Sequence, residues 1–123
     1  MLLASVVFLQ RDSKVAQSLN VLLAQSLCSV YPARSMDELR SNIPRHRAQA
    51  AILDLEAVSL ADVEELSHEF PGVRLVCNHR LADERMWAAV LNAGGADCLA
   101  SLDTRGLVSA ALAGSGSAQT AAA

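Results

Sequence analysis

The sequence predicts an α/β fold in which a parallel sheet is covered by helices on both faces. Five short apolar runs alternate with five segments whose apolar residues recur at helical spacing. One of these runs, residues 50–53, has no polar break and ends in Asp54, as expected for a central strand of a parallel sheet. Hydrophobic residues make up 52% of the chain and aromatic residues only 3%, which favours an aliphatic core between helices and a sheet over a β-sandwich.

The first strand and helix are separated by a polar turn. Residues 5–9 form a continuous apolar run, and either Asp12 or Ser13 can cap the helix that follows. The apolar residues of that helix at helical spacing are Val15, Leu19, Leu22 and Leu23. Residues 28–31 predict a weaker second strand that ends at Pro32. Because proline cannot donate a hydrogen bond to a neighbouring strand, we expect this strand at an edge of the sheet.

The second and third helices flank the central strand, residues 50–54. Ser35 can cap the second helix, and Pro44 should end or kink it. Ser59, with Asp62 three residues later, resembles a capping box at the start of the third helix. The apolar residues that predict these two helices are Met36, Leu39 and Ile43, then Leu60, Val63, Leu66 and Phe70.

Two more strand–helix pairs complete the pattern. The strands are predicted over residues 73–77 and 97–100, and the helices begin near Asp83 and at Asp103 or Thr104. The last helix carries Leu107, Val108, Ala111 and Leu112. From Gly114 onward, small and polar residues predict a flexible tail or the start of a linker. We therefore assign residues 1–113 to the domain and 114–123 to the tail.

Composition argues against several functional classes. The net charge of −3 does not favour nucleic-acid binding, and no apolar run approaches the length of a membrane span. The first residues lack the basic region of a signal peptide. Cys28, Cys77 and Cys98 have no close pairing motif and are expected to be free thiols of a cytoplasmic protein. The histidines show no metal-ligand spacing with these cysteines, so no such metal site is predicted.

Alternation of strands and helices favours right-handed crossovers and the sheet order 2-1-3-4-5. In that order the carboxyl ends of strands one, three and four meet at one crevice, where α/β sheets commonly bind ligands. We therefore expect Gln10, Arg11 and Asp12 beside Asp54 and Cys77. An alternative is that Asp54 merely caps the loop after its strand, since aspartate is common in turns.

Three segments, in order and spacing, resemble response-regulator receiver domains. They are residues 51–55 as the phosphoacceptor strand, 71–73 before strand four and 95–97 before strand five. The resemblance extends to about Gly114. It implies a flavodoxin-like doubly wound sheet, (βα)5, and a role in two-component phosphorelay signalling, in which a partner histidine kinase phosphorylates the central aspartate.

The resemblance makes Asp54 the equivalent of the phosphoacceptor. Receiver domains have an acidic pair after strand one that helps to bind magnesium. Here those positions are Gln10 and Arg11, so both carboxylates are missing, and Asp12 is the only nearby acid that could compensate. Arg11 could instead pair with Asp54 as a fixed cation.

The two switch positions also depart from the family pattern. The Ser or Thr that ends strand four falls on Cys77, and the Lys that ends strand five falls on Leu102. Magnesium prefers hard oxygen ligands, and phosphoryl transfer depends on cations that neutralise the transferring oxygens. We therefore expect no magnesium or other cofactor and no catalytic residues.

These departures predict an atypical receiver, or pseudo-receiver, that works as a phosphorylation-independent protein-interaction module and is not an enzyme. One alternative is a receiver that is still phosphorylated at Asp54, with an altered metal site that includes Asp12. Another is a domain that binds a small molecule in the same crevice.

The expected working surface is the face made by helix four, strand five and helix five, on which partners of receiver domains commonly dock. Helix four carries four large apolar residues that spread too far round the helix for one buried stripe: Met86, Trp87, Val90 and Leu91. Helix five adds the small residues Ala110, Ala111 and Ala113. The partner would be a histidine kinase, an output domain, another signalling protein or a second copy of the chain. The alternative is that Trp87 packs on the sheet.

Overall fold

Five parallel strands form one sheet in the order β2-β1-β3-β4-β5, which confirms the predicted flavodoxin-like, doubly wound class. This computed structural model describes residues 4–122, with side chains described for residues 4–113. The strands are β1 Ser5–Leu9, β2 Ser29–Ala33, β3 Ala50–Asp54, β4 Arg74–His79 and β5 Asp97–Ala100. The helices are α1 Ser13–Gln25, α2 Met36–Arg45, α3 Leu60–Glu69, α4 Glu84–Asn92 and α5 Thr104–Ala122.

Strand β3 lies at the centre of the sheet, and all five of its residues are buried. Successive side chains of a strand point to opposite faces, so β3 contributes to two cores. Ala51 and Leu53 join one core with residues of α2, α3 and α4. Ala50 and Ile52 join the other with residues of α1 and α5. Burial on both faces explains why this segment has no polar residue before Asp54.

The predicted helix starts are confirmed where side chains cap them. Asp12, rather than Ser13, is the N-cap of α1, and its carboxylate accepts a hydrogen bond from the Lys14 N–H. Ser59 and Asp62 form the predicted capping box of α3. The caps satisfy N–H groups that would otherwise lack partners at the helix ends. They also determine where each loop at the carboxyl edge of the sheet stops.

Two segments differ from the prediction near their proline residues. Strand β2 includes Pro32 and continues to Ala33, although it does lie at the predicted edge. Helix α2 contains Pro44 in its last turn and ends one residue later, at Arg45. Proline is tolerated in both places, because an edge strand has one side without a partner strand and a helix about to end has few hydrogen bonds left to lose.

Strand β4 extends to His79, two residues beyond the predicted end, and this extension pairs Asn78 with Asp54. Helix α5 continues to Ala122, through residues for which the composition predicts a flexible tail. Helix formation is cooperative, so extending a nucleated helix is less costly than starting a new one. The division of the chain at residue 113 stays a prediction.

In the described part of the chain, no helix combines the length and apolar character required to cross a bilayer.

Candidate functional site

A cleft of about 430 Å³ opens at the carboxyl edge of the sheet, between the ends of β1 and β3 and the loop after β5. Polar, charged and apolar side chains share its wall. The lining residues are Gln10, Arg11, Asp12, Val15, Asp54, Glu56, Arg80, Ser101 and Leu102. The predicted crevice is therefore present, and it brings together the three residues after β1 and the aspartate of β3.

Asp54 lies at the base of this cleft and is only 3% exposed. One carboxylate oxygen, Oδ2, accepts a hydrogen bond from the backbone N–H of Arg11 at 2.9 Å. The other, Oδ1, accepts one from the backbone N–H of Glu56, also at 2.9 Å. Asp54 consequently orders the loops after β1 and β3 while it faces the cleft, so the two interpretations of this residue are compatible.

Arg11 does not form the expected ion pair with Asp54. Its backbone N–H faces the carboxylate, whereas its exposed guanidinium lies nearest the carbonyl of Glu56, at 3.5 Å from Nη1. None of the ion pairs among residues 4–113 includes Asp54. The alternative in which Arg11 pairs with Asp54 as a fixed cation was therefore wrong, because the backbone N–H of Arg11, and not its guanidinium, binds the carboxylate.

Three neutral side chains form a hydrogen-bond network beside Asp54. The amides of Gln10 and Asn78 bond to each other in both directions, with Nε2 to Oδ1 at 2.8 Å and Nδ2 to Oε1 at 3.1 Å. The Asn78 Nδ2 group also donates to the Ser101 hydroxyl at 2.8 Å. This amide network, residues Gln10, Asn78 and Ser101, joins the carboxyl ends of β1 and β4 to the loop after β5.

Cys77 does not reach the cleft. It pairs in register with Leu53, is fully buried in the core, and burial raises the pKa of its thiol to about 12. Asn78 is the residue that pairs with Asp54. The predicted end of β4 was too early, which placed the wrong residue beside the aspartate. A signal was available, since Asn78 is the first polar residue after the apolar run 75–77, just as Asp54 is after its own run.

Asp12 lines the cleft, as predicted, and so does Leu102, the position that the resemblance makes equivalent to the lysine after strand five. The Leu102 side chain is 88% exposed at the rim, in the loop after β5. Asp12 is exposed, and its Oδ1 atom accepts the Lys14 N–H as the cap of α1. These two residues therefore give the cleft an apolar edge and an acidic edge.

The prediction missed an ion pair that contributes to the cleft wall. The Nε atom of Arg80 lies 2.8 Å from Oε1 of Glu56, and both residues line the cavity. Glu56 follows β3 and Arg80 follows β4, so the pair joins two neighbouring loops. Nothing in the local sequence pattern pairs these residues, because only the adjacency of β3 and β4 brings them together.

Among the described residues, no group of three acidic, histidine or cysteine side chains is positioned to hold a metal ion.

The predicted interaction surface on α4 divides into two pairs at i, i+4 spacing. Val90 is fully buried and Met86 packs on the core, so these two residues are not available to a partner. Trp87 is 46% exposed and Leu91 36% exposed on the outer side. The Trp87 indole N–H donates to the carboxylate of Asp97 at the start of β5, 3.2 Å away. Trp87 and Leu91 are therefore the large apolar side chains that α4 exposes, among polar and small exposed residues of the same helix.

On α5 the three predicted alanines differ in burial. Ala111 is buried in the core, Ala110 is partly buried and Ala113 is exposed. The helix periodicity accounts for this difference, because consecutive residues point in directions about 100° apart. Only part of the predicted alanine surface is therefore accessible.

No protein-family profile matches the sequence, and no curated protein matches it. Solved structures do match the fold. A response regulator receiver domain protein from Clostridium thermocellum has a TM-score of 0.80 at 17% identity, over 96% of this chain and 98% of that one. A CheY-like receiver domain protein from Methanospirillum hungatei has a TM-score of 0.74 at 18% identity, over 87% of this chain and 89% of that one.

A response regulator from Burkholderia pseudomallei, solved with a phosphorylated aspartic acid, a calcium ion and citrate, is also similar. Its TM-score is 0.76 at 16% identity, over 98% of this chain and 73% of that one. These similarities agree with the five-stranded parallel sheet and its strand order. The chain has the fold of response regulator receiver domains.

Proposed function

We propose that this domain is a receiver-type module of two-component signalling that binds protein partners without phosphorylation of Asp54. The observation that carries the proposal is the environment of this carboxylate. Each of its oxygens accepts a backbone N–H, and the side chains of the amide network beside it are neutral groups bonded to one another. Fold similarity supports the receiver class, and this environment supports the absence of the usual switch.

The residues of the cleft do not suit magnesium. This ion prefers octahedral oxygen coordination and is usually held by one or two carboxylates together with waters and phosphates. Besides Asp54, the carboxylates of the cleft are Asp12, which caps α1, and Glu56, which pairs with Arg80. Gln10 supplies an amide that is already bonded to Asn78. A magnesium ion would have to displace these contacts, so we propose no magnesium-dependent reaction in this cleft.

Phosphoryl transfer to Asp54 also lacks its usual electrostatic support. The transferring oxygens require nearby cations or donors that are free to bind them. Leu102 contributes no charge at the rim, and the Arg80 Nε atom is bonded to Glu56. We accordingly assign no reaction to the cleft and no catalytic role to its residues.

A phosphorylation assay tests the proposal. The parent domain is incubated with acetyl phosphate and millimolar magnesium, and its intact mass is measured. We expect no added phosphoryl group and no saturable heat in a magnesium titration. The matched variant carries Gln10→Asp with Arg11→Asp, which places two carboxylates beside Asp54. This variant should gain measurable magnesium binding and lose stability without metal, because the carboxylates repel one another.

One result would replace the proposal with the phosphorylated alternative. If the parent gains a single phosphoryl group that Asp54→Asn abolishes, Asp54 is a phosphoacceptor with an altered metal site. A double variant that responds to magnesium no better than the parent would show that the missing carboxylates are not the reason for weak binding.

The partner surface that we propose is the exposed part of the face formed by α4, β5 and α5. Trp87 and Leu91 lie on it, and tryptophan is enriched among the residues that dominate binding energy at protein interfaces. The partner is a histidine kinase, an output domain, another signalling protein or a second copy of this chain. We propose a cytoplasmic location and no contact of this domain with nucleic acid.

A further inference from the structure

We infer that the cleft binds a small primary alkylammonium ligand, whose charged nitrogen contacts Asp54 and whose alkyl chain packs on Val15 and Leu102. The inference rests on the proposed function, because it takes Asp54 to be free of a phosphoryl group and of a metal ion. It adds a ligand class for the same cleft.

The buried carboxylate of Asp54 lacks a paired side-chain cation in the described part of the chain. The side chain is 3% exposed, and the contacts described for it are backbone N–H groups, with no ion pair to a side-chain cation within residues 4–113. Burying a carboxylate is costly unless a charge or several hydrogen bonds compensate it. An ionised carboxylate has about four lone-pair sites, and the two backbone donors leave the others free. A cation that reaches this carboxylate would therefore be stabilised.

The other charged groups of the cleft do not neutralise Asp54. Three carboxylates and two guanidinium groups line the cleft, so the net charge of its lining side chains is negative and favours a cation. Both guanidinium groups contact Glu56 instead of the base of the cleft. Arg80 bonds to the Glu56 carboxylate, and Arg11 lies nearest the Glu56 carbonyl. The acidic side chains of Asp12 and Asp54 remain without a cationic side-chain partner among the described ion pairs.

The cleft has the size and the apolar surface to hold a short alkyl chain. Its volume of about 430 Å³ lies within the range of small-molecule sites. Val15 at the start of α1 and the exposed Leu102 provide apolar wall for a short alkyl chain. An exposed leucine beside a buried carboxylate suits a ligand with a charged end and an apolar body, whereas a hydrated metal ion would gain nothing from the apolar wall.

The test compares three probes of similar size, namely butylammonium, butyramide and butyrate, added to the whole domain at constant ionic strength. EDTA is present so that no metal competes. The readout is the amide resonances of Arg11 and Glu56 in nitrogen–proton correlation spectra, since these N–H groups donate to Asp54. We expect a saturable shift with butylammonium, and binding weaker by about tenfold or more with butyramide, because a hydrogen bond between charged groups is stronger than a neutral one. Butyrate should not saturate.

Variants assign the contacts. Asp54→Asn should remove butylammonium binding while the dispersed spectrum shows a folded domain. Leu102→Ser should weaken binding severalfold, and it changes a residue too exposed to affect folding. Glu64→Gln, which removes an exposed carboxylate of α3 outside the cleft, is the matched control and should bind like the parent.

Equal binding of the neutral or anionic probe, or unchanged binding by folded Asp54→Asn, overturns the inference. If Asp54→Asn does not fold, the three-probe comparison on the parent and the Leu102→Ser variant decide. The phosphorylation assay is independent of these measurements. A phosphorylated parent that also binds butylammonium in EDTA refutes the proposed function alone, whereas an unphosphorylated parent that does not bind it refutes this inference alone.

Discussion

The residues around Asp54 hold it by hydrogen bonds that local sequence patterns do not reveal. Two backbone N–H groups bind the carboxylate, and the amide network of Gln10, Asn78 and Ser101 lies beside it. Asn78 is fully buried, so each of its polar atoms must find a partner inside the protein. The network satisfies that requirement and ties three strand ends together, which gives these residues a structural role in addition to their position in the cleft.

Asn78→Ala should lower the free energy of unfolding by about 1–3 kcal/mol, because it leaves the Gln10 amide and the Ser101 hydroxyl without this partner. Ser101→Ala should cost less, about 1 kcal/mol, since Asn78 still bonds to Gln10. Urea unfolding followed by circular dichroism measures both values. Asn20→Ala, at an exposed position of α1, is the control and should change stability by no more than about 0.5 kcal/mol. Equal values for all three variants would contradict a structural role for the network.

At the scale of elements, α4 shows how one helix serves the core and the surface at once. Val90 and Met86 face the sheet, while Trp87 and Leu91 face outward one position further round. Residues four apart share a face of a helix, so these are two stacked pairs on adjacent faces. The apolar residues of α4 therefore cover a wide part of the helix because one pair packs on the core and the other pair lies on the surface.

Trp87→Ala should move a dimer toward monomer in light scattering and leave the far-ultraviolet circular dichroism spectrum unchanged. Val90→Ala should instead lower stability by about 2 kcal/mol, because it removes buried apolar volume. Val21→Ala, at a half-exposed position of α1, is the control and should affect neither association nor fold. A parent that is monomeric at high concentration would refute self-association. Unfolding of Trp87→Ala would place this side chain in the core.

At the scale of the whole molecule, two cores on opposite faces of one sheet hold the fold together. Cys77 and Cys98 are buried neighbours in the core beneath α2, α3 and α4, paired in register on β4 and β5. Burial raises the pKa of the Cys77 thiol to about 12 and that of Cys98 to about 11, with a smaller contribution from neighbouring acidic groups. In the unfolded chain both thiols have pKa values near 9.0.

Stability should therefore fall as the pH rises above about 9, the ordinary pKa of a thiol in the unfolded chain. In this window the unfolded chain has lost the thiol protons that the folded protein retains, so unfolding becomes more favourable with rising pH. Cys77 alone should cost about 3 kcal/mol by about pH 11, two pH units above the unfolded value, since one pKa unit corresponds to about 1.4 kcal/mol. Urea unfolding across this pH range measures the slope. The variant with Cys77→Ala and Cys98→Ala should have a shallower slope, and an unchanged slope would contradict the assignment.

The sequence by itself determined the fold class, the strand order, the central strand and most helix caps. These features depend on local patterns, namely apolar runs, helical periodicity and capping residues, which act over a few neighbouring positions. The sequence also predicted that Gln10, Arg11 and Asp12 meet Asp54 at the crevice, because the carboxyl ends of parallel strands lie at one edge of the sheet.

Only the tertiary structure decided which atoms meet at that edge. The register of β3 and β4 places Asn78, not Cys77, opposite Asp54, and a shift of one residue exchanges a core side chain for a cleft side chain. The direction of the Arg11 side chain and the pairing of Glu56 with Arg80 depend on loops that are distant in sequence. Contacts between such loops are determined by how the strands are arranged in space, which no local pattern records.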